Sequence, residues 1–127
     1  GALTPTRDYN YVEDTCKAFI AVYESKKTIG KVINASSNFE ISIGETLNLI
    51  VDIMNADVNI ITEEQRLRPD KSEVNRLFGD NSLLLDLTKW EPKFSGKEGF
   101  RNGLKLTIDW FSEPTNLNHY NPNKYSV

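Results

Sequence analysis

The sequence contains one cysteine and one histidine, and it has no long apolar run. A single cysteine, Cys16, excludes an internal disulfide, and His119 has no acidic or cysteine cluster beside it that could complete a metal site. No stretch approaches the roughly 20 apolar residues that a membrane-spanning helix needs, and no basic start followed by an apolar run indicates a signal peptide. We therefore expect a cytoplasmic protein that binds neither a metal nor a membrane.

Basic residues are also too few for a nucleic-acid partner. Lysine and arginine total 15 against 18 acidic residues, so no broad cationic surface is expected. Any anion site must therefore be local. With 127 residues the chain fits one domain or part of one.

Apolar spacing predicts helices alternating with strands. A helix from Val12 has the period of an amphipathic helix, and residues 31–35 and 58–62 are short runs typical of strands. Ser42 and Glu45 form a capping box that starts a second helix. The apolar face of the first helix consists of Val12, Cys16, Phe19, Ile20 and Tyr23, and that of the second of Ile43, Leu47, Ile50, Val51 and Met54.

Capping residues predict two further helices in the second half of the chain. The caps are Asn81 with Ser82, and Ser95 with Glu98, and the last helix has an apolar face of Phe100, Leu104, Ile108 and Phe111. Pro114 ends that helix, and residues 113–127 form a polar tail. The alternation indicates an α/β or α+β arrangement.

Two patterns imitate catalytic motifs. Tyr23 and Lys27 have the Tyr-x-x-x-Lys spacing at which a helical lysine assists a tyrosine general base, but Tyr23 lies on the apolar face, so we interpret it as a core residue. Gly96, Gly99 and Gly103 resemble a dinucleotide-binding turn, but no buried strand precedes them. We interpret these glycines as tolerated in a capped surface helix.

Three other side chains have structural interpretations. Asp14, near the start of the first helix, is favoured there by capping and by the helix dipole. Cys16 lies on the apolar face, where a buried, inert thiol is typical. Trp90 fits a core anchor.

Arginine is the side chain best suited to a diphosphate, because its planar fork donates two parallel charge-assisted hydrogen bonds. Arg7 precedes a helix and Arg68 follows a predicted strand, which are positions at which α/β folds present ligand contacts. On these grounds alone each is equally well explained as a solvated surface arginine or as the partner of a carboxylate.

Three motifs occur in a fixed order along the chain. Residues 7–14 read Arg-Asp-aromatic-x-Tyr-Val-x-Asp, an Arg-Pro pair follows at Arg68 and Pro69, and an Asp-x-Ser, helix, Trp-x-Pro segment contains Asp80, Ser82, Trp90 and Pro92. This order resembles the extended short-chain dehydrogenases/reductases that bind nucleotide sugars, the NAD-dependent epimerase/dehydratase family. Residues 3–8 and 68–74 are most similar to NAD-dependent 4,6-dehydratases acting on nucleotide-linked N-acetylglucosamine, of the legionaminic-acid type.

The resemblance implies an α/β fold, the C-terminal substrate-binding part of a Rossmann-type enzyme. Residues 1–112 would form this part, with residues 31–35 as one strand of the dinucleotide-binding sheet. Residues 7–36 would pack on an N-terminal dinucleotide-binding domain that is absent here. That domain would bind NAD and carry the catalytic residues, and the full-length enzyme would be a homodimer.

The resemblance also implies site residues. Arg7 and Arg68 would clamp the diphosphate of the substrate, and Glu73 would accept hydrogen bonds from the nucleotide ribose. No residue of the chain is assigned to catalysis, to the cofactor or to a metal. The expected substrate is NDP-N-acetylglucosamine, with uridine and guanosine both open as the nucleoside.

Two alternatives share the same clamp. One is a 4-epimerase of the same family, and the other is a free-standing nucleotide-sugar binding module without chemistry. If the chain is a piece of a larger enzyme, it would expose an unpaired strand edge, so we expect marginal stability or association when it is produced alone.

Overall fold

The computed structural model describes residues 1–61 and 74–120. Within these residues the secondary structure is, in chain order, β1 (Thr6–Asp8), α1 (Val12–Glu24), a 3₁₀ turn (Lys26–Thr28), β2 (Glu40–Ser42), α2 (Ile43–Met54), α3 (Ser82–Leu87), α4 (Gly96–Ser112) and α5 (Pro114–Leu117). The mixed α/β class expected from the sequence is confirmed. None of these helices is long and apolar enough to cross a membrane.

The strand β1 pairs with a different segment on each side. It runs antiparallel to β2. On its other edge, the amide of Thr6 donates to the carbonyl of Asn75 at 2.9 Å, and the amide of Leu77 donates to the carbonyl of Thr6 at 3.1 Å. Thr6 and Arg76 form a parallel bridge there. A strand near the start of the chain therefore fixes the position of residues 74–78.

The capping box predicted at the start of α2 is confirmed. Ser42 Oγ accepts from the amide of Glu45 at 3.1 Å, and Glu45 Oε2 accepts from the amide of Ser42 at 3.0 Å. The helix ends at Asn55, whose φ of 47° lies in the left-handed region that asparagine tolerates better than most residues. Both ends of α2 are thus determined by local sequence.

The caps predicted for α3 and α4 are wrong, although both helices begin where the sequence indicates. Asn81 and Ser95 occupy the N-cap positions without accepting a hydrogen bond from their own helices. Asn81 Nδ2 instead donates to the carbonyl of Ser36 at 2.8 Å, and Ser95 Oγ donates to the carbonyl of Ser37. Long-range partners have replaced the local caps.

Within residues 1–61, neither the strand predicted at residues 31–35 nor the strand predicted at residues 58–62 is formed, and residue 62 lies outside the described residues. Val32 is 93% exposed and Ile61 is 81% exposed. A strand needs a neighbour for its backbone N–H and C=O groups, and the described strands pair elsewhere. High β propensity alone did not produce a strand.

The core lies between the inner face of α1 and the chain around α3. Ala18, Leu84 and Trp90 are buried together, and Ala21, Val22 and Ile33 pack against them. The small side chain of Ala18 leaves room for the large indole of Trp90. The prediction that Trp90 is a core anchor is confirmed.

The face of α1 predicted to be buried is the face exposed in this structure. Its members are Val12, Cys16, Phe19, Ile20 and Tyr23, and Tyr23 is 90% exposed. The buried residues of α1 are Asp14 and Ala18, one helical turn apart. The predicted core role of Tyr23 and the predicted burial of Cys16 are therefore wrong for the described chain, because the core packs on the side of α1 that carries the smaller residues.

Candidate functional site

Arg7 lies on β1, and backbone carbonyls hold its guanidinium. Nη1 donates to the carbonyl of Thr6 at 2.7 Å and to the carbonyl of Val74 at 2.7 Å. These two bonds to backbone carbonyls orient the guanidinium. Arg7 is partly exposed and lies at the seam between β1 and residues 74–78.

Strand alternation separates Arg7 from Arg76, a second arginine of this sheet. Successive side chains of a strand point to opposite faces, so Arg76 shares a face with its partner Thr6 and not with Arg7. Arg76 Nε lies 2.6 Å from Glu40 Oε2, and Thr6 Oγ1 donates to Glu40 Oε1 at 3.3 Å. Sequence reasoning overlooked Arg76, because its pairing with Glu40 depends on the register of the sheet.

Arg68 and Glu73, the other two residues expected at this site, lie outside the described residues, and their roles stay predictions. The described chain resumes at Val74, whose carbonyl accepts from Arg7. Glu73 directly precedes Val74 in the sequence. The covalent chain therefore leads from the seam beside Arg7 into the segment that carries both residues.

Asp8 joins the end of β1 to two distant parts of the chain. Oδ1 accepts from the amide of Ser37 at 2.9 Å and from its hydroxyl at 2.7 Å. Oδ2 accepts from the amide of Asn38 at 3.1 Å and from the amide of Gly79 at 3.3 Å. We call Asp8, Ser37, Asn38 and Gly79 the Asp8 junction. It links segments that lie 29 and 71 residues from Asp8.

Close backbone approach makes the Asp8 junction possible. A Cβ at Gly79 would lie 2.3 Å from the Cβ of Ser36, so only glycine fits there without movement. Asn38, whose amide donates to Asp8, adopts a left-handed φ of 56°. Sequence reasoning did not find this junction. An acid at a strand end and a Ser-Ser-Asn turn are weak signals until the fold brings them together.

Asp14 is 1% exposed and binds the loop before α4. Its carboxylate accepts from the amides of Lys93 at 3.1 Å and Phe94 at 2.8 Å, and its carbonyl accepts from Trp90 Nε1 at 2.9 Å. The capping interpretation of Asp14 is wrong, because its carboxylate binds these amides and α1 has no side-chain cap. Its role is to attach α1 to the rest of the chain.

The Tyr-x-x-x-Lys pair does not lie on one helix face. α1 ends at Glu24, and Lys27 belongs to the 3₁₀ turn that follows. Residues four apart are neighbours only where the α-helix is continuous. The structure therefore offers no support for Lys27 assisting Tyr23.

Close packing requires glycine at Gly99 of α4, so the interpretation that this residue is merely tolerated is wrong. A Cβ at Gly99 would lie 2.6 Å from the carbonyl carbon of Phe94, and a Cβ at Gly103 would lie 3.2 Å from the Cβ of Tyr11. Protein atoms thus fill the space beside both glycines. They do not form the open cradle that a dinucleotide pyrophosphate needs, and no described residue is assigned to NAD.

A hollow of about 590 Å³ lies between the start of α1 and α4. Its lining is mostly apolar and includes Tyr9, Tyr11, Phe94, Phe100 and Trp110. Arg7 does not line this hollow. Across residues 1–61 and 74–120, no three His, Cys, Asp or Glu side chains are grouped to hold a metal ion.

The family model described as GDP-mannose 4,6 dehydratase matches residues 1–103 of this chain. Among curated proteins, GDP-6-deoxy-D-mannose reductase from Pseudomonas aeruginosa is 30% identical over 112 residues, covering 88% of this chain and 35% of the reductase. The sequence similarity thus extends over both described parts of the chain.

Two solved structures are similar over most of the chain. An epimerase from Methanothermobacter thermautotrophicus has a TM-score of 0.79 at 28% identity, covering 94% of this chain and 33% of the epimerase. A variant of UDP-glucuronic acid 4-epimerase from Bacillus cereus, in complex with UDP-4-deoxy-4-fluoro-glucuronic acid and NAD, has a TM-score of 0.74 at 25% identity, covering 89% of this chain and 34% of the epimerase. This chain spans about a third of the length of these relatives. The chain corresponds to a C-terminal part of such proteins, and it belongs to the GDP-mannose 4,6 dehydratase family of extended short-chain dehydrogenases/reductases.

Proposed function

We propose that this chain is the nucleotide-sugar binding portion of an NAD-dependent enzyme and that Arg7 binds the diphosphate of the substrate. The observation that supports this most directly is the position of the Arg7 guanidinium, held by the carbonyls of Thr6 and Val74 at the seam beside β1. A guanidinium oriented in this way presents charged donors at a defined place, which suits a phosphoryl group.

The second side of the clamp is assigned to Arg68, and the ribose contact to Glu73. The proximity of Val74 to Arg7 supports the assignment of Glu73, which directly precedes Val74 in the chain, whereas the assignment of Arg68 rests on the Arg-Pro motif. Two cations on opposite sides of a diphosphate would hold it more tightly than one.

The reaction we propose for the whole enzyme is 4,6-dehydration of NDP-N-acetylglucosamine. The family model favours 4,6-dehydration, and the resemblance of residues 3–8 and 68–74 favours the N-acetylglucosamine substrate. A 4-epimerase of the same family is the second candidate, and the two similar epimerase structures favour that reaction. NAD, when bound by the rest of the enzyme, supplies hydride transfer in either case. The residues of this chain supply binding energy remote from the reacting atoms, which holds the sugar in place.

The dinucleotide-binding part of the enzyme is proposed to pack on residues 7–36. The outer face of α1 supports this, since it exposes large apolar side chains such as Phe19 and Tyr23. Contiguous apolar surface of this kind typically marks an interface. Relatives about three times as long as this chain contain enough further residues to cover it.

Calorimetric titration of the full-length protein with UDP-N-acetylglucosamine and with GDP-mannose tests the proposed function. Arg7→Ala should weaken binding of the preferred ligand by roughly tenfold to a hundredfold, because a charged hydrogen bond is worth about 1.5–3 kcal/mol. Arg7→Lys should recover part of the loss, since lysine keeps the charge and lacks the fork.

Arg101→Ala is the matched control, because Arg101 forms an exposed ion pair with Asp52 at 2.8 Å, between α4 and α2. It should bind as the wild type does. Wild-type affinity in Arg7→Ala, or no heat with either ligand, contradicts the proposal. Binding without turnover in the presence of NAD favours the non-enzymatic module instead.

A further inference from the structure

We propose that Asp8 is a positioning residue for diphosphate binding: it fixes residues 74–79 against β1 and thereby places the Arg7 guanidinium. The inference rests on the proposed function, because it assigns Asp8 a role only through Arg7. Nothing in the geometry gives Asp8 a direct contact with substrate, since its carboxylate oxygens already accept four hydrogen bonds within the Asp8 junction.

The segment 74–79 is attached to β1 at both of its ends. At the first end, the carbonyl of Val74 accepts from Arg7 Nη1 at 2.7 Å. At the other end, the amide of Gly79 donates to Asp8 Oδ2 at 3.3 Å. The parallel pairing between these ends consists of two backbone hydrogen bonds. Loss of the Asp8 attachment would let this segment shift along β1 and would move the carbonyl that orients Arg7.

The carboxylate of Asp8 is well suited to this role because all its partners are donors. Three are backbone amides and the fourth is the Ser37 hydroxyl. A charged acceptor strengthens each of these bonds. Asparagine at this position would replace one acceptor oxygen with an NH₂ group facing N–H donors, so at least one bond is lost in either orientation of the amide.

Asp14 provides a matched control. Like Asp8, it uses its carboxylate to accept from backbone amides far away in the sequence, those of Lys93 and Phe94. Neither amide belongs to the segment that contacts Arg7. Asp14→Asn therefore makes the same chemical change and perturbs a different part of the fold.

The test is calorimetric titration of the full-length protein with UDP and with GDP, using variants shown to be folded by thermal unfolding. Asp8→Asn should weaken binding of the preferred diphosphate by roughly tenfold, and Asp14→Asn by less than about twofold. In a double-mutant cycle, Asp8→Asn should add no further loss to Arg7→Ala, because both changes remove the same interaction.

Wild-type affinity in Asp8→Asn, or a loss that adds fully to that of Arg7→Ala, overturns the inference while leaving the role of Arg7 intact. Wild-type affinity in Arg7→Ala, or no binding of either diphosphate by the wild type, overturns the proposed function itself. If Asp8→Asn does not fold, Ser37→Ala decides. It removes one hydroxyl donor to Asp8. As a single substitution it should weaken binding by roughly threefold, and when added to Arg7→Ala it should cause no further loss. An unchanged affinity in Ser37→Ala would then count as the overturning result.

Discussion

The indole Nε1 of Trp90 donates a hydrogen bond of 2.9 Å to the backbone carbonyl of Asp14, 76 residues away in the sequence. The Asp14 carboxylate accepts from the amides of Lys93 and Phe94, a few residues after Trp90. One residue of α1 thus binds the loop between α3 and α4 through both its backbone and its side chain. This attachment determines which face of α1 is turned inward.

Trp90→Phe should lower the free energy of unfolding by about 2 kcal/mol. The substitution removes a buried hydrogen bond and leaves a smaller ring in the core beside Ala18 and Leu84. Urea unfolding of the full-length protein measures the change. Trp110→Phe is the control, because Trp110 is 47% exposed and should lose less than about 1 kcal/mol. Equal losses in the two variants would show that the buried indole bond contributes nothing.

Gly99→Ala should destabilise the protein, whereas Gly103→Ala in the same helix should be nearly neutral. Alanine gains about 1 kcal/mol over glycine in a helix interior. At Gly99 the added Cβ meets backbone of Phe94 at 2.6 Å, and such overpacking costs about 1–3 kcal/mol. At Gly103 the added Cβ would lie 3.2 Å from Tyr11 Cβ, its nearest neighbour. The cost of the small adjustment this requires offsets the gain in helix propensity. Thermal unfolding of both variants checks the order, and a more stable Gly99→Ala would contradict it.

The cap of α2 should weaken in acid. The Ser42 hydroxyl, and after it the Ser42 amide, hold the pKa of Glu45 below its ordinary value of 4.5. A carboxyl whose pKa is lowered by folding stabilises the protein above its unfolded pKa, and this contribution is lost as the pH falls through the folded value.

Glu45→Gln should therefore reduce the difference in stability between pH about 7 and about 3. Urea unfolding midpoints of the variant and wild type at both pH values measure that difference. Glu98→Gln is the control, because the capping box predicted around Glu98 is not formed. If the stability of Glu45→Gln depends on pH as strongly as that of the wild type, the cap is not a source of acid sensitivity.

Local and long-range partners explain which features could be predicted from the sequence. The α2 cap involves Ser42 and Glu45, three residues apart, and the sequence alone predicts it. The spacing of apolar residues predicts a helix at α1, but the face of α1 that is buried depends on the contact with Trp90, far along the chain. Arg7 could be proposed from its motif. The Asp8 junction could not, because its partners lie 29 to 71 residues away and meet only in the folded sheet.

The outer face of α1 should make the chain associate when it is produced alone. Phe19 is 74% exposed and Ile20 is 55% exposed, and a folded domain with such a face lowers its free energy by burying it against a second copy. Sedimentation velocity of the 127-residue chain at increasing concentration measures this association. Phe19→Lys should shift the distribution toward monomer, because a charge on this face must be desolvated on contact. Asn102→Lys adds the same charge on an exposed position of α4 and should leave association unchanged. If both lysine variants dissociate equally, general charge repulsion explains the result and the α1 face is not the contact.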